Sequence, residues 1–203
     1  MTSQGTNTFF ELLVDQPEAD GGLSETAKAH EPQSFLRHTT ALAMTKLADG
    51  LIDPKLVLSW LLTSLGAPAF YVGLLVPIRE AGALLPQLAL ASWVEGLAQR
   101  KWAWVAGSVG QGFSALAILF CALRFEGAVA GGLICGALAI LALSRSLSSV
   151  SYKDSLGETV AQSHRGSATG TASSLASAGV IGFALLWMSG LLPRDGLVLA
   201  ALG

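Results

Sequence analysis

Charge is scarce in this chain, and what there is lies mostly at one end. Asp, Glu, Lys and Arg make up 13% of its 203 residues, against roughly 25% in ordinary soluble domains. Eight of the fourteen acids and four of the twelve bases fall within residues 1–55, which leaves six acids and eight bases for all the rest. Mean hydropathy is +0.56 over the whole chain, so the part beyond residue 55 is more apolar still. A water-exposed surface cannot be built from that remainder. Its composition is that of a membrane domain.

Other scarcities exclude whole classes of chemistry. The chain has three histidines, His30, His38 and His164, and two cysteines, Cys121 and Cys135. The cysteines sit in apolar segments without metal-ligand spacing and read as small buried hydrophobes; neither a metal nor a cofactor is expected. Hydrolysis within a bilayer needs a Ser with a His, paired Asp residues, or a His-Glu-x-x-His site. No apolar segment holds such a set, and no glycine-rich phosphate loop is present, so an enzyme is not expected. No basic face offers itself to nucleic acid. The first twenty residues, MTSQGTNTFFELLVDQPEAD, lack a basic region followed by an apolar run, so the first span is expected to serve as its own insertion signal.

What is abundant is long apolar sequence. Residues 1–33 are polar and acidic and are expected to be a disordered tail. Residues 34–54 form a linker in which Phe35, Leu36, Leu42, Met44, Leu47 and Leu51 oppose Arg37, His38, Thr45 and Lys46, the pattern of a helix along a membrane surface or of a soluble linker helix. Asp53 followed by Pro54 is a helix start signal. From there the expected fold is all-α: a polytopic transmembrane helix bundle over 55–203, with five complete spans near 55–78, 81–97, 102–123, 127–150 and 168–192. A sixth begins at 196 and stops at 203, so the chain reads as the N-terminal part of a longer protein.

The stretch ASWVEGLAQRKWAW, 91–104, sets the orientation. Trp93, Trp102 and Trp104 suit the headgroup level, and Arg100 with Lys101 suits the cytoplasmic side. With the N-terminus in the cytoplasm, Lys46, Lys55, Arg100, Lys101, Arg145, Lys153 and Arg165 lie on or near the inner side. Arg79, Arg124 and Arg194 lie outside, each within two residues of an acid. Short loops and the absent leader suit a bacterial inner membrane.

Candidate functional residues follow from the cost of polar groups in hydrocarbon. Glu80, Gln87, Ala91 and Glu95 share one face of the second span at about 100° per residue. That face points inward, either lining a cavity or bonding a neighbouring helix. Arg79 joins it or snorkels to the headgroups. Gly107, Gly110, Gln111 and Ser114 in the third span, Gly127, Gly131, Gly132 and Gly136 in the fourth, and Gly166, Gly170, Ser173 and Ser177 in the fifth have the spacing of closely packed helices. Arg145 lies near the inner boundary, where Glu95 or Asp154 could pair with it.

The topology and two motifs resemble the N-terminal half of a major facilitator superfamily permease. That family's loop between helices two and three carries Gly-x-x-x-Asp/Glu-Arg/Lys-x-Gly-x-Arg/Lys-Arg/Lys; here the matching positions are Ala91, Glu95, Gly96, Ala98, Arg100 and Lys101. The acid and the basic pair match, while both glycines are alanine and the first basic position is Gly96. Glu158, Arg165, Gly166 and Gly170 are similar to the link before the family's fifth helix. The resemblance implies a transporter of two six-helix halves with alternating access. It implies Arg79, Glu80, Gln87 and Gln111 as substrate-cavity residues, and Glu95, Arg100, Lys101, Arg145 and Arg165 as a cytoplasmic gate. Its implied partners are the lipid bilayer, a small-molecule substrate and the second half of the same chain.

Overall fold

The computed structural model describes Phe10, residues 25–96 and residues 100–189; the side chains of Ala91, Trp93, Glu95, Arg100, Asp154 and Glu158, among others, lie outside that description. The described elements are helices: α1 (Glu25–Leu51), α2 (Val57–Ser64), α3 (Ala69–Glu95), α4 (Arg100–Arg124), α5 (Gly127–Thr159) and α6 (Gln162–Met188). Four of these contain stretches long and apolar enough to cross a membrane, over Ala69–Gln87, Lys101–Arg124, Gly127–Gly157 and Gln162–Leu186. The chain divides into two compact units, one of residues up to Gly50 with Lys153–Met188, the other holding Leu51–Tyr152.

The helices are divided differently from the five spans and partial sixth that hydropathy implies. The expected break at Arg79–Glu80 is absent, because α3 runs unbroken through both residues and through Pro77 and Pro86. The chain breaks instead after Ser64. Gly66 takes a φ of 70°, Gly66 N donates to Thr63 O at 3.1 Å, and Ala67 N donates to Leu62 O at 2.9 Å. That is a Schellman closure, which needs the left-handed conformation glycine adopts without strain. Pro68 then precedes α3 at φ −53°, ψ 140°. A charged pair does not end a helix, whereas Gly followed by Pro does. The eight residues of α2, about 12 Å long, cannot cross a bilayer, so the first expected span is not a single helix. Residues 190–203, which include the end of the fifth expected span and all of the sixth, lie outside the described residues.

In the second unit, α3 and α5 run parallel with α4 antiparallel to α5. A Cβ added at Gly82 would lie 2.9 Å from Ala142 Cβ, and one at Gly131 would lie 2.6 Å from the Tyr71 ring, which fixes α3 against α5. A Cβ at Gly107 would lie 2.7 Å from Ser148 N and 2.8 Å from Ser144 O, while Gly110 faces Ser144. Rising numbers on α4 thus meet falling numbers on α5. Of the glycines expected to let helices approach, Gly107, Gly110 and Gly131 do so here, whereas Gly127 and Gly136 meet nothing within 4 Å. Leu58, Leu61 and Leu62 of α2 join Leu75, Ile118 and Leu138 in the apolar core of this unit, and Gly127 N donates to Leu65 O at 2.7 Å, holding the α2 end to the start of α5.

The surface of α4 shows what solvent this unit was built for. Val105, Val109, Phe113, Leu116 and Phe120 are exposed, at steps of three and four, while Ala103, Gly107 and Ser114 are buried. Phe113 is 75% exposed and its neighbour Ser114 is 3% exposed. In water this inversion would leave a continuous apolar stripe unsatisfied. In lipid it is favourable, because small residues let backbones approach and large ones meet the acyl chains. The protein is an integral membrane protein by this criterion.

In the first unit, α1 lies lengthwise along α6. Glu31 meets the start of α6 at Ala161 and His164. Nearer its other end, a Cβ at Gly179 would lie 2.9 Å from Leu47, and one at Gly50 would lie 2.7 Å from Val180. The helices are therefore parallel and in register over about 28 Å. Helix α1 starts at Glu25, so residues 25–33 of the expected disordered tail are helical. Phe35 is buried and Leu47 packed, as the apolar stripe implied; Met44 is 62% exposed and His38 buried, against it. His38 goes inward because Thr159 Oγ1 lies 2.9 Å from its Nε2. Gly166 and Gly170 face open space. The close face of α6 is instead Ala168, Ala172 and Ala176, buried on the side that Gly179 turns to Leu47.

Candidate functional site

The second unit begins with a non-helical turn ahead of α2 that a cation is held against. Leu51 ends α1, and residues 52–56 are non-helical before α2. Asp53 organises the restart: its Oδ1 accepts from Lys55 N at 2.9 Å and Leu56 N at 3.0 Å, and its carbonyl accepts from Val57 N and Leu58 N, both at 3.0 Å. The start signal read from Asp53–Pro54 is realised as this turn. The Ile52 carbonyl, beyond the last turn of α1, is an acceptor the helix cannot satisfy itself. Arg79 Nη1 donates to it at 2.9 Å. This charge-assisted bond is how Arg79 is accommodated about 15 Å along α3.

The register of α3, α4 and α5 collects further polar side chains in one region. Gly82 opposite Ala142, and Gly110 opposite Ser144, place Gln111 of α4 level with the α3 turns between Glu80 and Gln87. Spread over about 9 Å of helix axis in the same region, Ser108 Oγ and Ser148 Oγ are 3.5 Å apart, Ser114 and Ser146 are buried, and one nitrogen of the half-buried Arg145 is fully enclosed. A polar layer therefore crosses this unit between its middle and the α3–α4 turn. The expected cavity residues are placed individually. Arg79 serves the helix break, Glu80 is exposed, Gln87 is half-buried, and Gln111 Nε2 donates within its own helix to Gly107 O at 3.4 Å.

The gate residues are placed more unevenly. Arg165 Nε donates to Val160 O at 3.0 Å and an Nη donates to Gly157 O at 2.8 Å, so this side chain caps the carbonyls that end α5. Lys101 is exposed, its Nζ 6.0 Å from the Trp102 ring centroid. Of the expected tryptophan belt, Trp102 is exposed, and Trp104 turns its edge to Tyr152 at 5.8 Å. The side chains of Glu95, Arg100, Trp93 and Asp154 lie outside the described residues, as does any pairing of Arg145 with Glu95 or Asp154.

A third cluster carries no signal in the sequence. At the corner between α5 and α6, Glu31 Oε1 accepts from Ala161 N at 2.8 Å and lies 2.9 Å from His164 Nδ1. His38 reaches Thr159 beside it. Phe10 stands edge-on to Phe35 at 5.2 Å and to His164 at 5.5 Å. Nothing local announces this pairing, because Glu31 and His164 are 133 residues apart, the one in the expected tail and the other outside the expected spans. Comparison with known proteins returns nothing: no family model, curated protein or solved structure matches the chain.

Proposed function

We propose that the chain forms the N-terminal helices of a secondary transporter that moves a small solute by alternating access, on the plan of a major facilitator permease. The observation that carries this reading is Arg79. An ionisable side chain in the middle of a helix long enough to cross a membrane is costly unless it faces water, protein or a ligand. Here it sits on unbroken α3 and donates to the Ile52 carbonyl in the non-helical turn ahead of α2, an arrangement that suits binding of a polar solute or coupling ion at depth. The polar layer of Gln87, Ser108, Gln111 and Ser144 would supply further contacts.

Topology on this reading follows from α1. A helix in parallel register with α6 crosses where α6 crosses, so α1 is read as a membrane-crossing helix with its N-terminus on the side of the α5–α6 corner. Arg100, Lys101, Lys153 and Arg165 flank the turns assigned to that side, which the excess of basic residues makes cytoplasmic. A second reading, a non-transporting assembly partner, draws on α6: Gly166, Gly170, Ser174 and Ser177 form an exposed face of small residues suited to another helix.

Uptake separates the two. The complete protein, reconstituted into liposomes, is assayed against a panel of radiolabelled amino acids, sugars and carboxylates under imposed proton and sodium gradients. Transport predicts that one solute moves faster than in empty liposomes and that Arg79→Ala abolishes the difference. No accelerated solute across the panel, or full uptake by Arg79→Ala, removes the transport reading or Arg79 from it.

A further inference from the structure

A carboxylate lies at mid-depth on a face of α3 that none of the described elements covers. Helix α3 has 27 residues and is about 40 Å long. Glu80 stands about 16 Å from its start and about 22 Å from its end, inside the apolar stretch Ala69–Gln87. Gly73, Pro77, Glu80 and Leu84 fall within about 60° of one another on the helix, and all four are exposed. A Cβ at Gly73 would meet nothing within 4 Å. The opposite side of the helix is the packed one, where Leu75 is buried and Tyr71 and Gly82 turn to α5. Among the described residues none gives Glu80 a hydrogen bond or an ion pair, and Arg79 beside it is directed to the Ile52 carbonyl. Pro77 has no N–H, so the Gly73 carbonyl lacks the donor that a helix supplies four residues on. That carbonyl opens toward the C-terminal end of α3, on the side of Pro77 and Glu80. The face thus presents two acceptors, one of them charged, and no side-chain donor.

We propose that this face docks a membrane-spanning partner helix that carries a Lys or Arg at mid-depth. A carboxylate against acyl chains is costly, and a basic side chain on a facing helix removes that cost by pairing with it. Gly73, without a side chain, lets such a helix approach closely. The same ammonium or guanidinium has N–H groups to spare for the Gly73 carbonyl. A second copy of the chain does not fit. A two-fold axis along the membrane normal would set Glu80 against its symmetry mate, charge against like charge. Arg79 and Arg145, the bases well inside the described spans, are half-buried and are not presented to another molecule. A free solute cation would find one wall here, not the concave site that holds a small ligand. The docking face is separate from the turn at Ile52 and does not depend on transport.

Energy transfer in liposomes between the labelled full chain and a labelled single-span helix of leucine and alanine tests it. A helix with one central Lys should associate about tenfold more tightly than the same helix with a central Leu, the effect of one charge-assisted hydrogen bond. Glu80→Gln should remove most of that preference, and Glu80→Lys should transfer it to a helix with a central Glu. Gly73→Leu keeps the carboxylate but fills the open space beside it, and should weaken binding of the central-Lys helix by a similar factor. Equal association of the Lys and Leu helices with the wild-type chain overturns the proposal. So does a preference for Lys that survives in Glu80→Gln. If ethylammonium shields Glu80 from a membrane-permeant carbodiimide while the Lys helix shows no preference, the face holds a solute cation and the docking proposal fails. Should the Glu80 variants fail to accumulate, Gly73→Leu decides: loss of the Lys preference supports docking, and its retention overturns it.

Discussion

Two glycines five residues apart on α4 face opposite fates when a methyl group is added. At Gly107 the new Cβ would lie 2.7 Å from Ser148 N, 2.8 Å from Ser144 O and 2.9 Å from Ser148 Cβ; at Gly112 nothing lies within 4 Å. Ordinary contact begins near 3.4 Å, and two of the three obstacles at Gly107 are backbone atoms of α5, which cannot rotate away. The seam must open by roughly 0.6 Å, and overpacking of that kind costs about 1–3 kcal/mol. Gly→Ala also favours the helix at either site, by about 1 kcal/mol in water, so the substitution itself cancels when the two variants are compared. Gly107→Ala should therefore be less stable than Gly112→Ala by about 1–3 kcal/mol, with Gly112→Ala at or above wild type. Unfolding by sodium dodecyl sulfate titration in mixed micelles, followed by far-ultraviolet circular dichroism, measures the difference. Equal midpoints for the two variants would refute the α4–α5 register on which the polar layer depends.

Further outcomes are expected on the same physical grounds. Phe113→Arg, on the exposed stripe of α4, should impair insertion by about 2.5–3.5 kcal/mol if placed centrally in lipid, readable in a glycosylation-mapping assay; unimpaired insertion would show that this face meets water. Asp53→Ala removes the acceptor for Lys55 N and Leu56 N and should cost about 1 kcal/mol, seen as a lower unfolding midpoint, which Asp53→Asn should largely restore. With α1 read as crossing alongside α6, cysteines placed at the exposed positions Gln33 and Lys55 should react with an impermeant thiol reagent from opposite sides of a sealed vesicle. Labelling of both from one side would return α1 to the membrane surface.

How much is legible in the sequence depends on the range of the interaction responsible. Composition identifies a helical membrane domain because lipid-facing residues must be apolar whatever their neighbours. The turn after Arg124 and the packing glycines Gly107 and Gly110 are readable because each acts within one helix or across one tight connection. The break between α2 and α3 is also written in the chain, at Gly66–Ala67–Pro68. Arg79–Glu80 competes with it as a boundary, since a charged pair within an apolar run looks like a helix end until its partner is known. That partner, the Ile52 carbonyl, lies 27 residues away.

The sequence by itself determined the class of the protein and most of the local signals that start and stop helices, since these depend on residue type and spacing alone. Tertiary structure decided the rest. Only packing shows that α1 lies in register with α6, that Arg165 closes α5 while Glu31 closes α6, and that polar residues of α3, α4 and α5 gather in one region of the second unit. Most of those results pair groups tens of residues apart or more. A single buried hydrogen bond fixes such a pairing, and no periodicity along the chain announces it.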